Sequence, residues 1–502
     1  MSLATINTQA LNGVKSLPVS VEVHISTGLP ALSIVGLPEA AVRESKDRVR
    51  AAIINSGFDF PMQKITVNLA PADLPKDGGR YDLPIAIGIL AASSQIPDTD
   101  LARFEFHGEL ALNGDLRAVT GALPVAIGSI ELKHTLILPQ DSASIAALAR
   151  DADIYQASHL LEICRFLHGQ SELEAPEPVQ PQARSQPLDM SDVKGQHRAK
   201  RALEIAAAGR HNMLMVGPPG TGKTMLASRL ATLLPPLSEQ QAIASAAIRS
   251  ISYQGFDIND WMQRPFRAPH HTASGIALVG GGSIPRPGEI SLAHNGVLFL
   301  DELTEFSRHT LDVLREPLET GTITISRASR QAEFPANFQL IAAMNPCPQG
   351  YNCDGKSLCQ CTPDQQRKHR SRISAPLLDR IDIHIEVPAI DRRALMSDSG
   401  NNETSEEIIC RVNQAYKMQI DRCAKTNAEL SSRETETHCQ LHPDEVKLLD
   451  QAMQKLKLSA RAYHRILRMS RTIADLDNSH DIQARHLSEA ISYRSLDRFM
   501  GG

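Results

Sequence analysis

The chain has 502 residues, 42% of them hydrophobic and 22% charged, with a formal net charge of −5. That is apolar material enough for roughly three domains of about 150 residues each, and the charge balance excludes both a disordered acidic chain and a uniformly basic coat for nucleic acid. Any contact with DNA must therefore come from local basic surfaces.

No apolar run approaches the ~18 residues of a membrane span, and the opening MSLATINTQALNG has no basic stretch leading into an apolar core. This points to a cytoplasmic protein with no membrane partner. The eight cysteines are not spread as a disulfide framework: Cys347, Cys353, Cys359 and Cys361 crowd one loop and the others are scattered, which suits a reducing compartment with one metal site.

Residues 1–168 read as an α/β domain. Val19, Val21, Val23 and Ile25 alternate, as do Ile65, Val67 and Leu69, marking half-buried strands, and a helix from about Glu39 to Ser56 is stopped by Gly57. Residues 169–188 carry four prolines among Glu, Gln and Ser and read as a linker. Across 189–392, short apolar strands (Met213–Val216, Val297–Leu300, Gln339–Ala343, Ile381–Val387) alternate with helical stretches, the pattern of a parallel sheet with crossover helices. A second polar break, 393–407, precedes a helical region over 408–502 that reads as a lid and includes Asp444–Leu456, Ala460–Leu476 and Ile482–Tyr493.

A phosphate loop follows the first core strand: Gly217, Pro218, Pro219, Gly220, Thr221, Gly222, Lys223 and Thr224, then Met225 opening a helix. Glycines let backbone N–H groups turn inward around phosphate, Lys223 reaches the terminal phosphates, and Thr224 offers its hydroxyl to Mg²⁺. The run Val297–Leu300 ends in Asp301 and Glu302. A buried strand of this kind delivers Asp301 to the metal, while Glu302 orients and deprotonates water.

These two motifs, in this order, identify an ATP-hydrolysing AAA+ motor using ATP and Mg²⁺. Asn345, after the strand Leu340–Met344, suits a sensor of the lytic water, or an Asx turn before Pro346, or both. Arg380 suits an arginine finger acting on a neighbouring subunit; the alternative is an internal pair with Asp379 or Asp382. On the lid helix that carries Arg461, Arg465, Arg468 and Arg471, Arg461 is the choice for closing on nucleotide, with Arg465 the runner-up.

The strings Ala268–Thr272, Arg286–Glu302, Met344–Cys347 and Arg372–Arg380 resemble the YifB/ComM family of magnesium-chelatase-related AAA+ proteins along essentially the whole chain. The resemblance implies a homo-hexamer, with single-stranded and branched DNA bound without sequence preference, and a helicase that promotes branch migration when transforming DNA is recombined. Pro75–Arg80 and Gly108–Gly121 resemble Lon protease, but Arg80 stands where the serine nucleophile belongs and Ala122–Pro124 offers no lysine, so the expectation is a Lon-like fold without peptidase activity.

Three features invite further expectations. The four clustered cysteines suit a structural Zn²⁺, although their spacing is irregular; the alternative is reduced thiols in a loop. His270 and His271, being adjacent, are read as making loop contacts and not as sharing an ion. Arg286, in the loop Gly280–Arg286, and Arg327 and Arg330, in a hairpin around Gly321–Phe334, are the candidate DNA contacts facing a ring channel. Two other client classes stay open: a magnesium-chelatase motor, disfavoured by the Lon-like domain, and a protein-remodelling ATPase, disfavoured by the missing aromatic pore loop.

Overall fold

The computed structural model describes residues 2–177, 188–282, 284–327, 330–350, 359–389, 402–456 and 458–494. The chain is α/β and divides into two compact units: Met1–Ala183 with Ala246–Trp261, and Arg184–Ser245 with Met262–Gly502. Among the described residues no helix is long and apolar enough to cross a membrane.

The first unit is built on a seven-stranded sheet. In spatial order its strands are Ala31–Val35, Lys64–Ala70, Lys15–Ser26, Ser2–Asn12, Phe104–Phe106, Thr135–Pro139 and Ile154–Ala157. Alternation in the third of these puts Val19, Val21, Val23 and Ile25 on one buried face. The antiparallel register sets Val21 opposite Ile6 and Val23 opposite Ala4, so the apolar faces coincide.

Against this face lies the helix Asp82–Ala92, buried at every residue. Gly88 is what permits the approach, since a Cβ there would stand 2.5 Å from Val23 Cγ2. After Asp82 the helix is apolar all round and so carries no 3.6-residue period to announce it.

Three observations bear on the boundaries read from sequence. Leu173, in the stretch read as a linker, is buried in this unit's core, and Gln156 N–H donates to Glu174 O at 2.9 Å. The segment Ala246–Trp261 also belongs to this unit: Ala246 and Ala247 share a core with Leu123, Val125 and Leu136. The rest of the first linker, 178–187, and 390–401 of the second lie outside the described residues. Helix Ser405–Cys423 begins inside the second predicted linker, started by a capping box between Thr404 and Glu407.

The second unit carries a five-stranded parallel sheet in the order Phe266–Arg267, Val297–Leu300, Gln339–Met344, Met213–Val216, Ile383–Glu386. Its central strands are short and buried at every residue, Met213–Val216 and Val297–Leu300 being wholly apolar, as strands covered on both faces tend to be. The alanine-rich helix His197–Gly209 packs into one core with the sheet and the C-terminal helices, bringing Ala202 and Ile205 together with Ile383, Val412, Ile466 and Met469.

Candidate nucleotide site

Sheet register assembles the site. Val216 pairs with Met344 and Leu300 with Ala342, so three strands end at the same edge. The loops after them, carrying Lys223, Asp301 with Glu302, and Asn345, are thereby brought together.

In the phosphate loop, Gly220 and Gly222 have φ of +76° and +87°, a conformation that favours glycine. A Cβ on Gly217 would meet Val387 O at 2.2 Å. Lys223, 8% exposed, donates from Nζ to Gly217 O at 2.7 Å, Pro218 O at 2.9 Å and Asn345 Oδ1 at 3.2 Å. Its ammonium is thus held by neutral oxygens, and desolvation lowers its pKa, a setting in which an anionic ligand would be welcome. Met225, next in the helix Lys223–Leu233, is 45% exposed.

Thr224 Oγ1 donates to Asp301 Oδ2 at 2.6 Å, so the two oxygens suited to Mg²⁺ are already adjacent. Glu302 takes a left-handed backbone, φ +51°, braced by its N–H donating to Asp301 Oδ1 at 2.9 Å. Its carboxylate has a partner the sequence did not disclose: His271 Nδ1 lies 2.9 Å from Glu302 Oε2. His270 turns instead to Thr272 Oγ1 at 2.9 Å, so the two histidines take different partners. Asn345 is anchored through its carbonyl, which accepts from His369 Nε2 at 3.1 Å.

The arginines stand at the other edge of the sheet. Arg380 and Asp382 precede Ile383, which pairs with Met213 at the start of the phosphate-loop strand. Arg380 is 6% exposed and turned inward, donating to Pro376 O at 2.6 Å and paired with Glu319. Glu319 replaces both partners read from sequence: Asp379 is not used, and Asp382 is taken by Arg465, which also donates to Arg380 O at 3.1 Å.

Arg461 is exposed, one turn before Arg465; the pKa of Arg380 is lowered chiefly by burial, with the charges of Arg461, Arg315 and Arg465 adding to it and Glu319 opposing it. Arg465 thus keeps company with Arg380, through its bond to the Arg380 carbonyl. The C-terminal helices pack in one core with His197–Gly209 and the strand residues Ile383 and Ile385, an arrangement that helix periodicity does not encode.

The sulfurs of Cys347, Cys359 and Cys361 lie within 4.8 Å of one another, while Cys353 lies outside the described residues. Gly280–Gly281 pairs with Arg286–Pro287 as a short hairpin that leaves Arg286 half-buried. The second hairpin pairs Thr322–Arg327 with Arg330–Pro335; the side chains of Arg327 and Arg330 lie outside the described residues. In the first unit Arg80 is buried, donating to Thr120 O at 2.9 Å.

A family model described as "Magnesium chelatase, subunit ChlI" matches residues 189–395, "Subunit ChlI of Mg-chelatase" matches 21–142, and "Magnesium chelatase, subunit ChlI C-terminal" matches 402–494. The chain is 50% identical to competence protein ComM of Haemophilus influenzae over 505 residues, covering 100% of this chain and 99% of that protein. It is also 50% identical to YifB of Escherichia coli over 500 residues, covering 100% and 98%. Likeness to Lon protease 2 of Bacillus subtilis is partial, 26% over 185 residues, or 32% of this chain and 33% of that protein.

Proposed function

The chain belongs to the YifB/ComM family of magnesium-chelatase-related AAA+ ATPases, and from that premise we propose that it is a hexameric, ATP-driven DNA translocase that promotes branch migration during homologous recombination of transforming DNA. The observation that carries the ATPase part is the convergence of Lys223, Thr224, Asp301, Glu302 and Asn345 at one edge of the sheet. In this reading Gly217–Met225 bind the phosphates, Thr224 and Asp301 hold Mg²⁺, Glu302 takes a proton from the attacking water, and Asn345 holds that water in line. Mg²⁺ supplies charge neutralisation at the phosphates when bound.

Support for a ring comes from the far edge. Arg380 precedes Ile383, which pairs with Met213 at the start of the phosphate-loop strand, and this favours a neighbour's nucleotide as the one Arg380 serves, with Arg461 assigned to the same role. Arg380 must then exchange Glu319 for phosphate on assembly. Support for DNA comes from the near full-length likeness to a competence protein, with Arg286, Arg327 and Arg330 as backbone contacts in the channel. The same reading includes the domains as 1–168, Lon-like and without peptidase activity, 189–392 the motor and 408–502 the helical region, in a cytoplasmic protein. It also includes a structural zinc, for which three crowded thiols are a fitting donor set.

The deciding experiment is steady-state ATP hydrolysis by the purified chain with and without single-stranded and forked DNA at two salt concentrations, with Glu302→Gln as control. Salt-sensitive stimulation lost in the control supports a nucleic-acid motor. Hydrolysis indifferent to every DNA tested overturns it and favours a chelatase or protein client.

A further inference from the structure

The cysteine loop is built against the nucleotide site. Asn345, whose Oδ1 accepts from Lys223 Nζ at 3.2 Å, is followed two residues later by the buried Cys347. The chain then turns at Gly350, with φ +81°, where a Cβ would stand only 3.0 Å from Pro219 Cδ of the phosphate loop. It returns at Cys359 and Cys361 and enters the helix Pro363–Arg370, which Thr362 and Gln365 cap. From that helix His369 Nε2 donates back to Asn345 O at 3.1 Å. The three thiols and two walls of the nucleotide site, Asn345 and Pro219, thus belong to one local structure.

The sulfur geometry is that of ligands around an ion. Cys347 Sγ and Cys359 Sγ are 3.5 Å apart and all three sulfurs fall within 4.8 Å of one another. Tetrahedral zinc with Zn–S bonds of ~2.3 Å separates its sulfurs by about 3.8 Å, whereas a disulfide needs ~2.05 Å. Cys361 N–H points at Cys359 Sγ at 3.4 Å, the kind of backbone donor that offsets thiolate charge at a metal site. Soft thiolate donors in a tetrahedral arrangement select zinc over magnesium or calcium.

We propose that this cluster binds one Zn²⁺ and that the ion acts on the nucleotide site by fastening Asn345 and Pro219 in register with Lys223. The inference rests on the ATPase reading and adds to it: the metal tunes nucleotide affinity and is more than a brace for a distant loop. Coordination fixes Cys347 to Cys359 and Cys361, closing the loop at its base. Without the ion nothing covalent opposes a drift of Asn345 away from the Lys223 ammonium.

The test uses the full chain purified under reducing conditions. Zinc is quantified by elemental analysis in the wild type, in Cys359→Ser and in Cys361→Ser. Binding of a fluorescent ATP analogue is measured before and after chelation of the wild type and again after Zn²⁺ is restored, with circular dichroism following the fold. The expected result is about one zinc per chain, reduced in both variants, and nucleotide binding about tenfold weaker after chelation, roughly the loss of one hydrogen bond to a charged group, restored by Zn²⁺ at unchanged helicity. Absence of zinc from the wild type, or zinc whose removal leaves nucleotide affinity unchanged, overturns the proposal. Lys223→Ala separates the two readings: it should keep its zinc and lose nucleotide, whereas a zinc-loaded wild type that binds no nucleotide sinks the ATPase reading and the coupling together.

Discussion

His271 Nδ1 lies 2.9 Å from Glu302 Oε2, so the carboxylate beside Asp301 is held by a loop distant in sequence while its own backbone sits in the left-handed region. Held through one oxygen, the carboxylate keeps the other for water. His271→Ala should lower kcat for ATP by about 3- to 10-fold with little change in KM, the worth of one orienting hydrogen bond. His271→Asn, which returns an N–H donor near the position of Nδ1, should recover most of it. An unchanged kcat in the alanine variant would show that the pair has no part in hydrolysis.

Lys223 is already desolvated and hydrogen-bonded to neutral oxygens, with the charges of Asp301 and Glu302 acting on it without a hydrogen bond. Lys223→Ala should weaken ATP binding by about 10- to 100-fold, the range for losing hydrogen bonds from a charged group. Equilibrium titration with a non-hydrolysed analogue reads the effect directly.

Arg380 should be dispensable to its own subunit and necessary to the next. Arg380→Ala is expected to cut hydrolysis roughly 100-fold or more while nucleotide binding persists. Mixing it with Glu302→Gln chains should restore part of the rate, because the mixed ring contains sites with an intact Glu302 and an intact neighbouring Arg380. Failure of the mixture to exceed either variant alone would rule out action in trans.

His294 links stability to pH. Burial, aided by the charge of Arg210, pushes its pKa from 6.5 down to about 4, and as a neutral ring it accepts Asn337 N–H at Nδ1, 3.1 Å away. The unfolded chain takes up this proton near pH 6.5 and the folded chain only near 4. Its contribution is therefore fully present above pH 6.5 and is lost as pH falls between those values, by roughly 3 kcal/mol at the acid end. In urea melts from pH 7 to 4.5, His294→Asn should be less stable at pH 7 and lose less on acidification. Equal slopes for the two proteins would exclude His294 as the titrating group.

The sequence by itself determined what lies at the ends of strands. The phosphate loop, the Asp301–Glu302 pair and Asn345 are each announced by an apolar run and the residues after it, and a parallel sheet in register brings such loops to one edge. The alternation of Val19 to Ile25 likewise marked its strand and its buried face.

Tertiary structure alone decided partnerships between residues far apart in the chain. His271 found Glu302, Glu319 rather than a neighbouring aspartate took Arg380, and Arg465 took Asp382. It decided what the helix Ala460–Leu476 packs against, because a helix's periodicity says which face is buried and not against what. It revealed the helix Asp82–Ala92 as a fully buried element, which a run apolar on every side does not declare. The physical reason is common to all of these: local sequence sets backbone conformation and the polarity of each face, while the meeting of two distant side chains follows from how whole elements pack.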